Sequence, residues 1–334
     1  MFRPLTRITF LAACLLVCAG VSFGAALTNG DVFASIGSGL VNEYTPTGVF
    51  VQQLNTGHNV YTATGSAFST TTGDFYVTGF TANTIVRFNS ATGAKVGDFA
   101  STDPASDGES IVFDKNGNAF AGQADGTRHV LEFNSSGTLI NAFAPSTSIP
   151  GDDRGTDWVD LAADQHTLYY TSEGTHIRRF DIATNTQLAN LNAVALAGSN
   201  AYAFRILSDG GVLVADTDRV VRLDAAGNVV KTYLLGQPGV VTLFALNLDP
   251  NGTSFWTGDL STNQVYNVDI ATGAILEHWT ATGGGVTQLA GLSIKGEITA
   301  AGVPEASQLG TSLVLAGLLA GLGYWRKRKA AEIV

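Results

Sequence analysis

Cysteine is almost absent from the sequence, and both copies, Cys14 and Cys18, lie in an apolar N-terminal stretch. The rest of the chain has no thiol that could act as a nucleophile, bind a metal or form a disulfide. This excludes thiol enzymes and disulfide scaffolds. It also suits an oxidising compartment, where free thiols are at risk.

Charged residues are scarce as well, at 14% of the chain, and the net charge is −10. The two ends, 1–26 and 306–334, hold six of the 18 Lys and Arg but one of the 28 Asp and Glu, so the part between them has a net charge of −15. Nucleic-acid binding depends on basic residues that neutralise phosphates. We therefore expect no nucleic-acid partner.

Methionine occurs once, whereas there are 39 glycines and 45% of the residues are apolar. Residues that favour helices are rare between the two ends, and Thr, Asn and Ser are frequent there. This composition predicts many short strands that are joined by polar turns and share an apolar core.

The N-terminus has the pattern of a secretory signal peptide. Two arginines precede an apolar run over 8–21, and small residues follow it. We predict a signal peptide over 1–26 that is cleaved after Ala26, with cleavage after Gly24 as the alternative.

The C-terminus has three consecutive features. A motif of Val303, Pro304 and Glu305 lies in a linker over 301–308, and an apolar segment over 309–325 is long enough for a transmembrane helix. A basic cluster then begins the tail over 326–334: Arg326, Lys327, Arg328 and Lys329. The positive-inside rule predicts a cytoplasmic tail, with the body of the protein outside.

These features together resemble the PEP-CTERM sorting signal, although Ala306 stands where that signal usually has a second proline. The resemblance covers about the last thirty residues. It implies a partner, a membrane exosortase that processes the motif, and an exported protein of a Gram-negative bacterium that makes extracellular polysaccharide. Such a protein is anchored in the inner membrane first and then reaches the cell surface or matrix. The simpler alternative is an ordinary tail anchor.

Between the ends, two series of apolar residues recur at a spacing of about 44 residues. The first series is Phe33, Tyr76, Phe120, Tyr169, Leu213 and Phe255. The second follows it by 10 to 13 residues: Tyr44, Phe88, Phe133, Phe180, Leu223 and Val268. Turn residues end each run, and a further apolar run precedes each repeat. A repeat of four short strands is typical of a β-propeller blade.

The ends of the repeat region predict the number of blades. Residues 31–54 supply three strands without an innermost one, and 289–294 supply an innermost strand without the rest of a blade. Together they would form one composite blade, which closes the ring and removes its exposed edges. We predict an all-β, six-bladed propeller of four-stranded blades over 27–300.

The repeat pattern, for instance DFYVTGFTANTIVRFNSATG and GVLVADTDRVVRLDAAGNVV, resembles the NHL and gluconolactonase-like propellers. The resemblance covers residues 31–296 and rests on turn glycines and strand apolars. It therefore implies architecture more than activity.

Propeller ligands bind at the central channel, near the start of the innermost strands. The candidates there are Ser66, Glu109, Asp157, Asn200, Tyr202, Thr242 and Gln288. The resemblance to metal-dependent gluconolactonase-like enzymes suggests Glu109, Asp157 and Asn200 as ligands of Ca²⁺ or Mg²⁺, whose preferred ligands are oxygens. The alternative is that all three are hydrated loop residues.

The histidines and two calcium-like segments give weaker evidence for a functional site. No histidine falls on a predicted innermost strand, in contrast to the streptogramin-lyase type of propeller. The segments 114–118 and 249–252 resemble fragments of calcium loops but lack the glycine and glutamate that such loops need, so we interpret both as tight turns.

The sequence predicts two alternative functions. The first is a non-enzymatic binding or structural module, without a cofactor, whose propeller face recognises extracellular polysaccharide or protein. The second is an exported metal-dependent hydrolase or lyase of the gluconolactonase-like type.

Overall fold

The structure, a computed structural model, describes residues 24–58, 63–102, 107–147, 154–235 and 242–300. It contains six four-stranded antiparallel sheets that are arranged as the blades of a propeller. The predicted fold class is therefore confirmed. The signal peptide up to residue 23, and the sorting motif, transmembrane helix and basic tail, lie outside the described residues.

Numbered along the chain, the first eleven strands are β1 (Val32–Gly37), β2 (Leu40–Tyr44), β3 (Phe50–Asn55), β4 (Ala63–Phe68), β5 (Phe75–Gly79), β6 (Thr84–Phe88), β7 (Lys95–Ser101), β8 (Gly108–Phe113), β9 (Ala119–Gln123), β10 (Val130–Phe133) and β11 (Leu139–Phe143). The others are β12 (Val159–Leu161), β13 (Thr167–Tyr170), β14 (Arg178–Asp181), β15 (Thr186–Gln187), β16 (Ala201–Ile206), β17 (Val212–Asp216), β18 (Arg219–Leu223), β19 (Val229–Tyr233), β20 (Leu243–Leu248), β21 (Ser254–Asp259), β22 (Gln264–Asp269), β23 (Ile275–Thr280) and β24 (Gly291–Ile294). Blade 1 consists of β24, β1, β2 and β3, and each following blade takes the next four strands in order.

The composite blade closes the ring as predicted. Strand β24 pairs antiparallel with β1, so that Val32 lies opposite Ile294 and Ser35 opposite Gly291. Strands from the two ends of the repeat region thus share one sheet. Because β24 pairs with β1, β1 is not left as an unpaired edge of blade 1.

The two series of sequence landmarks explain where the core lies. All twelve residues are buried, the first series on the second strand of each blade and the second series on the third strand. Their side chains pack between neighbouring blades: for example, the ring of Phe33 in blade 1 lies 5.3 Å from that of Phe68 and 5.0 Å from that of Phe75 in blade 2. The core is therefore a set of layers between blades.

The two calcium-like segments are turns, as predicted. Asp114 Oδ1 accepts hydrogen bonds from the backbone N–H groups of Asn116 and Asn118, both at 2.8 Å. Gly117 has a φ of 84°, which a residue with a side chain rarely adopts. The carboxylate of Asp114 is thus used to hold its own turn.

The innermost strands surround a central channel and run from one end of it, here called the mouth, to the other, the base. Neighbouring blades approach very closely at the mouth: a Cβ atom on Gly65 would lie 2.4 Å from the carbonyl oxygen of Glu109. Hydroxyl groups also form hydrogen bonds between neighbouring blades: Ser110 Oγ, for example, donates to the Asp157 carbonyl at 2.8 Å. These contacts fix the backbone that carries the channel residues.

Candidate functional site

A cavity of about 340 Å³ opens at the mouth of the channel. All six blades contribute to its lining, through the starts of innermost strands and through turns between second and third strands. The lining residues are Thr64, Phe80, Glu109, Arg154, Glu173, Tyr202, Phe244, Leu260, Gln288 and Ala290.

The seven channel residues predicted from the sequence differ in their positions. Glu109, Tyr202 and Gln288 line the mouth cavity, and Asp157 is buried next to it. Asn200 is not among the residues that line the cavity, and its amide Nδ2 donates to the Glu173 carbonyl at 2.9 Å.

The two remaining predicted residues belong to the frame of the propeller. Ser66 is buried, and its hydroxyl lies 2.7 Å from that of Ser293, which links blades 2 and 1. The backbone N–H of Thr242 donates to Asp259 Oδ2 at 3.1 Å. Neither side chain is part of the cavity lining.

Glu109 and Asp157 form a buried acidic pair. Their residues are 2% and 1% exposed. Among the described residues, no donor lies within hydrogen-bonding distance of Glu109 Oε1 or of Asp157 Oδ2. Burial raises the pKa of Glu109 well above its ordinary value, and the negative charges of Asp157 and Glu173 raise this pKa further. The pKa of Asp157 is also well raised, first by burial and then by the charge of Glu173.

Arg154 is the one basic residue among the described residues that line the mouth cavity. Its guanidinium forms an ion pair with Asp125, and its Nε lies 3.7 Å from Glu173 Oε1. The carboxylates of Asp107 and Asp125 also lie close enough to influence the acidic pair. The mouth therefore carries more acidic than basic groups.

The predicted metal ligands fit a cation only in part. The unpaired oxygens of Glu109 and Asp157 are the type of ligand that Ca²⁺ and Mg²⁺ prefer. However, no group of three His, Cys, Asp or Glu side chains in the described part of the chain has an arrangement that could hold an ion. The metal site stays a prediction.

Three aromatic side chains, Phe80, Tyr202 and Phe244, complete the cavity. The rings of Tyr202 and Phe244 are 5.0 Å apart and tilted by 48°, and the edge of Trp158 packs against Phe244 at 5.7 Å. The sequence analysis missed Phe80, Phe244 and Glu173. Phe80 and Glu173 lie in turns between second and third strands, which reach the mouth because the second strand runs opposite to the first.

None of the five histidines lies among the described residues that line the mouth cavity. His58 lies 3.0 Å from Asp98 on the surface, and His278 stacks on Tyr266 in the outer part of blade 6, with ring centroids 4.5 Å apart. Their positions agree with the expectation that no histidine lies on an innermost strand.

The base of the channel holds a second set of buried charges, beside a cavity of about 450 Å³. Glu297 follows the last strand and accepts hydrogen bonds from Arg205 Nε at 2.8 Å, Asn247 Nδ2 at 2.8 Å and the Leu248 backbone N–H at 2.7 Å. Asp160 accepts hydrogen bonds from the N–H groups of Leu161 and Ile206, both at 2.9 Å. Burial raises the pKa of Asp160 to about 6, while the charge of Arg205 opposes this shift.

Comparisons with known proteins show the fold and leave the function open. No protein-family model matches the sequence, and no curated protein matches it either. Among solved structures, a chain of a nidogen/laminin complex matches with a TM-score of 0.63 and 16% identity, covering 79% of this chain and 98% of that one.

Two further solved structures are similar. One is a catalytically inactive virginiamycin B lyase from Staphylococcus aureus with quinupristin, with a TM-score of 0.54 and 14% identity over 78% of this chain and 88% of that one. The other is the WD40 β-propeller domain of Doa1, with a TM-score of 0.56 and 10% identity over 81% of this chain and 85% of that one. At such low identities the likeness shows a shared β-propeller fold, on which both binding proteins and enzymes are built.

Proposed function

We propose that this protein is an exported, non-enzymatic binding module that acts at the cell surface or in the extracellular matrix of a Gram-negative bacterium, and that the channel mouth is its ligand site. The observation that carries the proposal is the mouth cavity itself, which combines three aromatic side chains with the buried Glu109, one of whose oxygens has no donor among the described residues. Concave sites of mostly apolar lining with a few polar groups are typical ligand sites.

The proposed location rests on the two ends of the chain. The pattern over 1–26 supports export, and the motif over 303–305 with the following apolar and basic segments supports sorting by an exosortase. Among the described residues, which end at Ala300, no helix has the length and apolarity needed to cross a membrane. Residues 295–300 lie at the base, so a chain anchored through 309–325 would present its mouth away from the membrane.

The sorting proposal is tested by replacing Pro304 and Glu305 with alanine in the producing bacterium. If an enzyme reads the motif, the variant is exported but stays uncut in the inner membrane, because the apolar segment is unchanged. Equal mass and equal membrane fraction for wild type and variant would show a simple tail anchor.

Binding through the mouth is tested with the full chain in its own host, by measuring how much protein washing releases from the matrix. We expect a Phe80→Ala/Tyr202→Ala variant to be released at least about tenfold more readily, since aromatic anchors dominate many interfaces. The matched control is Val230→Ala/Leu276→Ala, which removes exposed apolar side chains from outer strands.

Circular dichroism of the purified variants shows whether they fold, and Glu173→Gln serves as a milder mouth variant. Equal retention of wild type and folded mouth variants would overturn the proposed binding site.

An alternative function, a metal-dependent gluconolactonase-like hydrolase or lyase, is favoured by the oxygen ligands of Glu109 and Asp157. It requires Ca²⁺ or Mg²⁺ to raise the melting temperature of the wild type but not of Glu109→Gln.

A further inference from the structure

The lining of the mouth cavity includes a buried carboxyl group with one oxygen that has no partner among the described residues. Glu109 lines the cavity and is 2% exposed, and one of its oxygens has no donor among the described residues. Leaving a buried polar group without a hydrogen bond costs free energy. Such a group is explained if a ligand supplies the missing donor.

The charge around Glu109 indicates what kind of donor fits. Asp157 lies buried beside it, and Asp107, Asp125 and Glu173 add negative charge. Arg154 opposes them but is already paired with Asp125 and Glu173. A neutral hydroxyl would leave this negative charge uncompensated, whereas a ligand cation would compensate it.

The aromatic walls favour an organic cation over a metal ion. Phe80, Tyr202 and Phe244 offer ring faces and edges but no oxygen ligands beyond one phenol. Ammonium and guanidinium groups are attracted to aromatic faces, and their apolar stems pack against them. Arg154, whose guanidinium lies in the same lining, shows that a group of this chemistry is compatible with the site.

The burial of Glu109 favours a slender ligand. The Tyr202 and Phe244 rings are tilted by 48° to each other, and Trp158 packs against Phe244 at 75°, so these rings do not form one flat platform for a sugar ring. Because Glu109 is only 2% exposed, a charge that reaches it has to arrive at the end of a narrow chain.

We infer that the channel mouth binds the lysine or arginine side chain of a partner polypeptide, with its cationic end against Glu109 and its stem between the aromatic walls. This inference rests on the proposed function of the mouth as a ligand site. The acidic body, with a net charge of −15 between the two ends of the chain, would also attract a basic partner from a distance.

The test uses the mature protein purified from the producing cells and calorimetric titration with Nα-acetyl-lysine methylamide and its arginine counterpart. We expect both to bind, and we expect binding to weaken at least about tenfold in Glu109→Gln, which corresponds to one lost charged contact. The norleucine amide, which has the same four-carbon stem without the ammonium group, should not bind. The matched control variant is Asp209→Asn, which removes one negative charge from an exposed side chain elsewhere.

A second readout is proton release. The pKa values of Glu109 and Asp157 are raised, so these two groups bind protons more readily than free carboxyls. The charged groups around them are Asp107, Asp125, Glu173 and Arg154. A cation that enters should displace a proton, so affinity should rise with pH and the measured heat should depend on the ionisation enthalpy of the buffer. Glu109→Gln should lose most of this dependence.

Other outcomes overturn the inference in distinguishable ways. Binding of glucosamine but not of the lysine and arginine amides would assign the site to an amino sugar, and a response to calcium chloride alone would assign it to a metal ion. If no probe binds while matrix retention still depends on Phe80 and Tyr202, the cationic ligand is wrong and the proposed function stands. If retention is also independent of the mouth, both fail.

Discussion

The two ends of the central channel both bury acidic side chains, but these side chains differ in their hydrogen-bond partners. At the base, Glu297 is held by Arg205, Asn247 and the backbone of Leu248. At the mouth, Glu109 and Asp157 each keep an oxygen without a donor among the described residues. The same residue type is therefore satisfied at one end and unsatisfied at the other.

This difference separates structural from functional acids. A buried carboxylate with a full set of donors adds specificity to the fold, and removing it leaves its partners unpaired. A buried carboxylate without donors weakens the fold, and such groups are concentrated at functional sites. We expect substitutions of these acids at the two ends to have opposite effects on stability.

The largest effect is expected for Glu297→Ala. The change would remove the carboxylate that accepts a hydrogen bond from the buried guanidinium of Arg205, and also the acceptors for Asn247 and Leu248. Loss of one partner of a buried ion pair typically costs about 3–5 kcal/mol. Urea unfolding should show this loss, whereas Arg222→Ala, which breaks the exposed pair with Asp209, should cost about 1 kcal/mol or less. Similar losses for both variants would contradict a structural role for the base.

The base also shows what the sequence could and could not predict. The spacing of buried residues such as Phe33, Tyr76 and Phe120 predicted the blades, because each repeat must place an apolar side chain between neighbours. The contact of Glu297 with Arg205 joins residues 92 positions apart and depends on ring closure. The spacing predicts which strands pair when the ring closes, but not which side chains then meet.

The sequence likewise predicted only some of the residues at the mouth. Glu109, Tyr202 and Gln288 were found because they lie at or just before the start of innermost strands, where blade topology fixes their position. Arg154 was missed, since it lies in a loop between blades that has no counterpart in the repeat. The missing hydrogen-bond partners of Glu109 were also beyond the sequence, because they depend on side-chain placement across three blades.

An intermediate effect is expected from the titration of Asp160 at the base. Its pKa is raised from 3.8 to about 6, so the folded state binds this proton more tightly than the unfolded state, by on the order of 3 kcal/mol. This contribution is complete below about pH 4 and is lost as the pH rises through about 6.

The measurement is the free energy of unfolding of the wild type and of Asp160→Asn between pH 4 and 7. The wild type should lose stability relative to the variant as the pH rises across this range. The variant should be less stable at pH 4, because an amide nitrogen replaces one of the two oxygens that accept from Leu161 and Ile206. A constant difference across the range would contradict the raised pKa.

The smallest effect, and the one with the opposite sign, is expected at the mouth for Glu109→Gln. Glutamine has nearly the same shape and carries no charge to bury. We therefore expect the variant to be more stable than the wild type by about 0.5–2 kcal/mol, the usual gain when a functional site is relaxed. Because the pKa of Glu109 is raised, the wild type loses stability as the pH rises through that pKa, so the gain should grow with pH. The matched substitution at the base, Glu297→Gln, removes a charge that has partners and should destabilise the protein. If both glutamine variants are destabilised alike, the two ends of the channel do not differ in the way their hydrogen bonds suggest, and Glu109 is held by the fold in the same manner as Glu297.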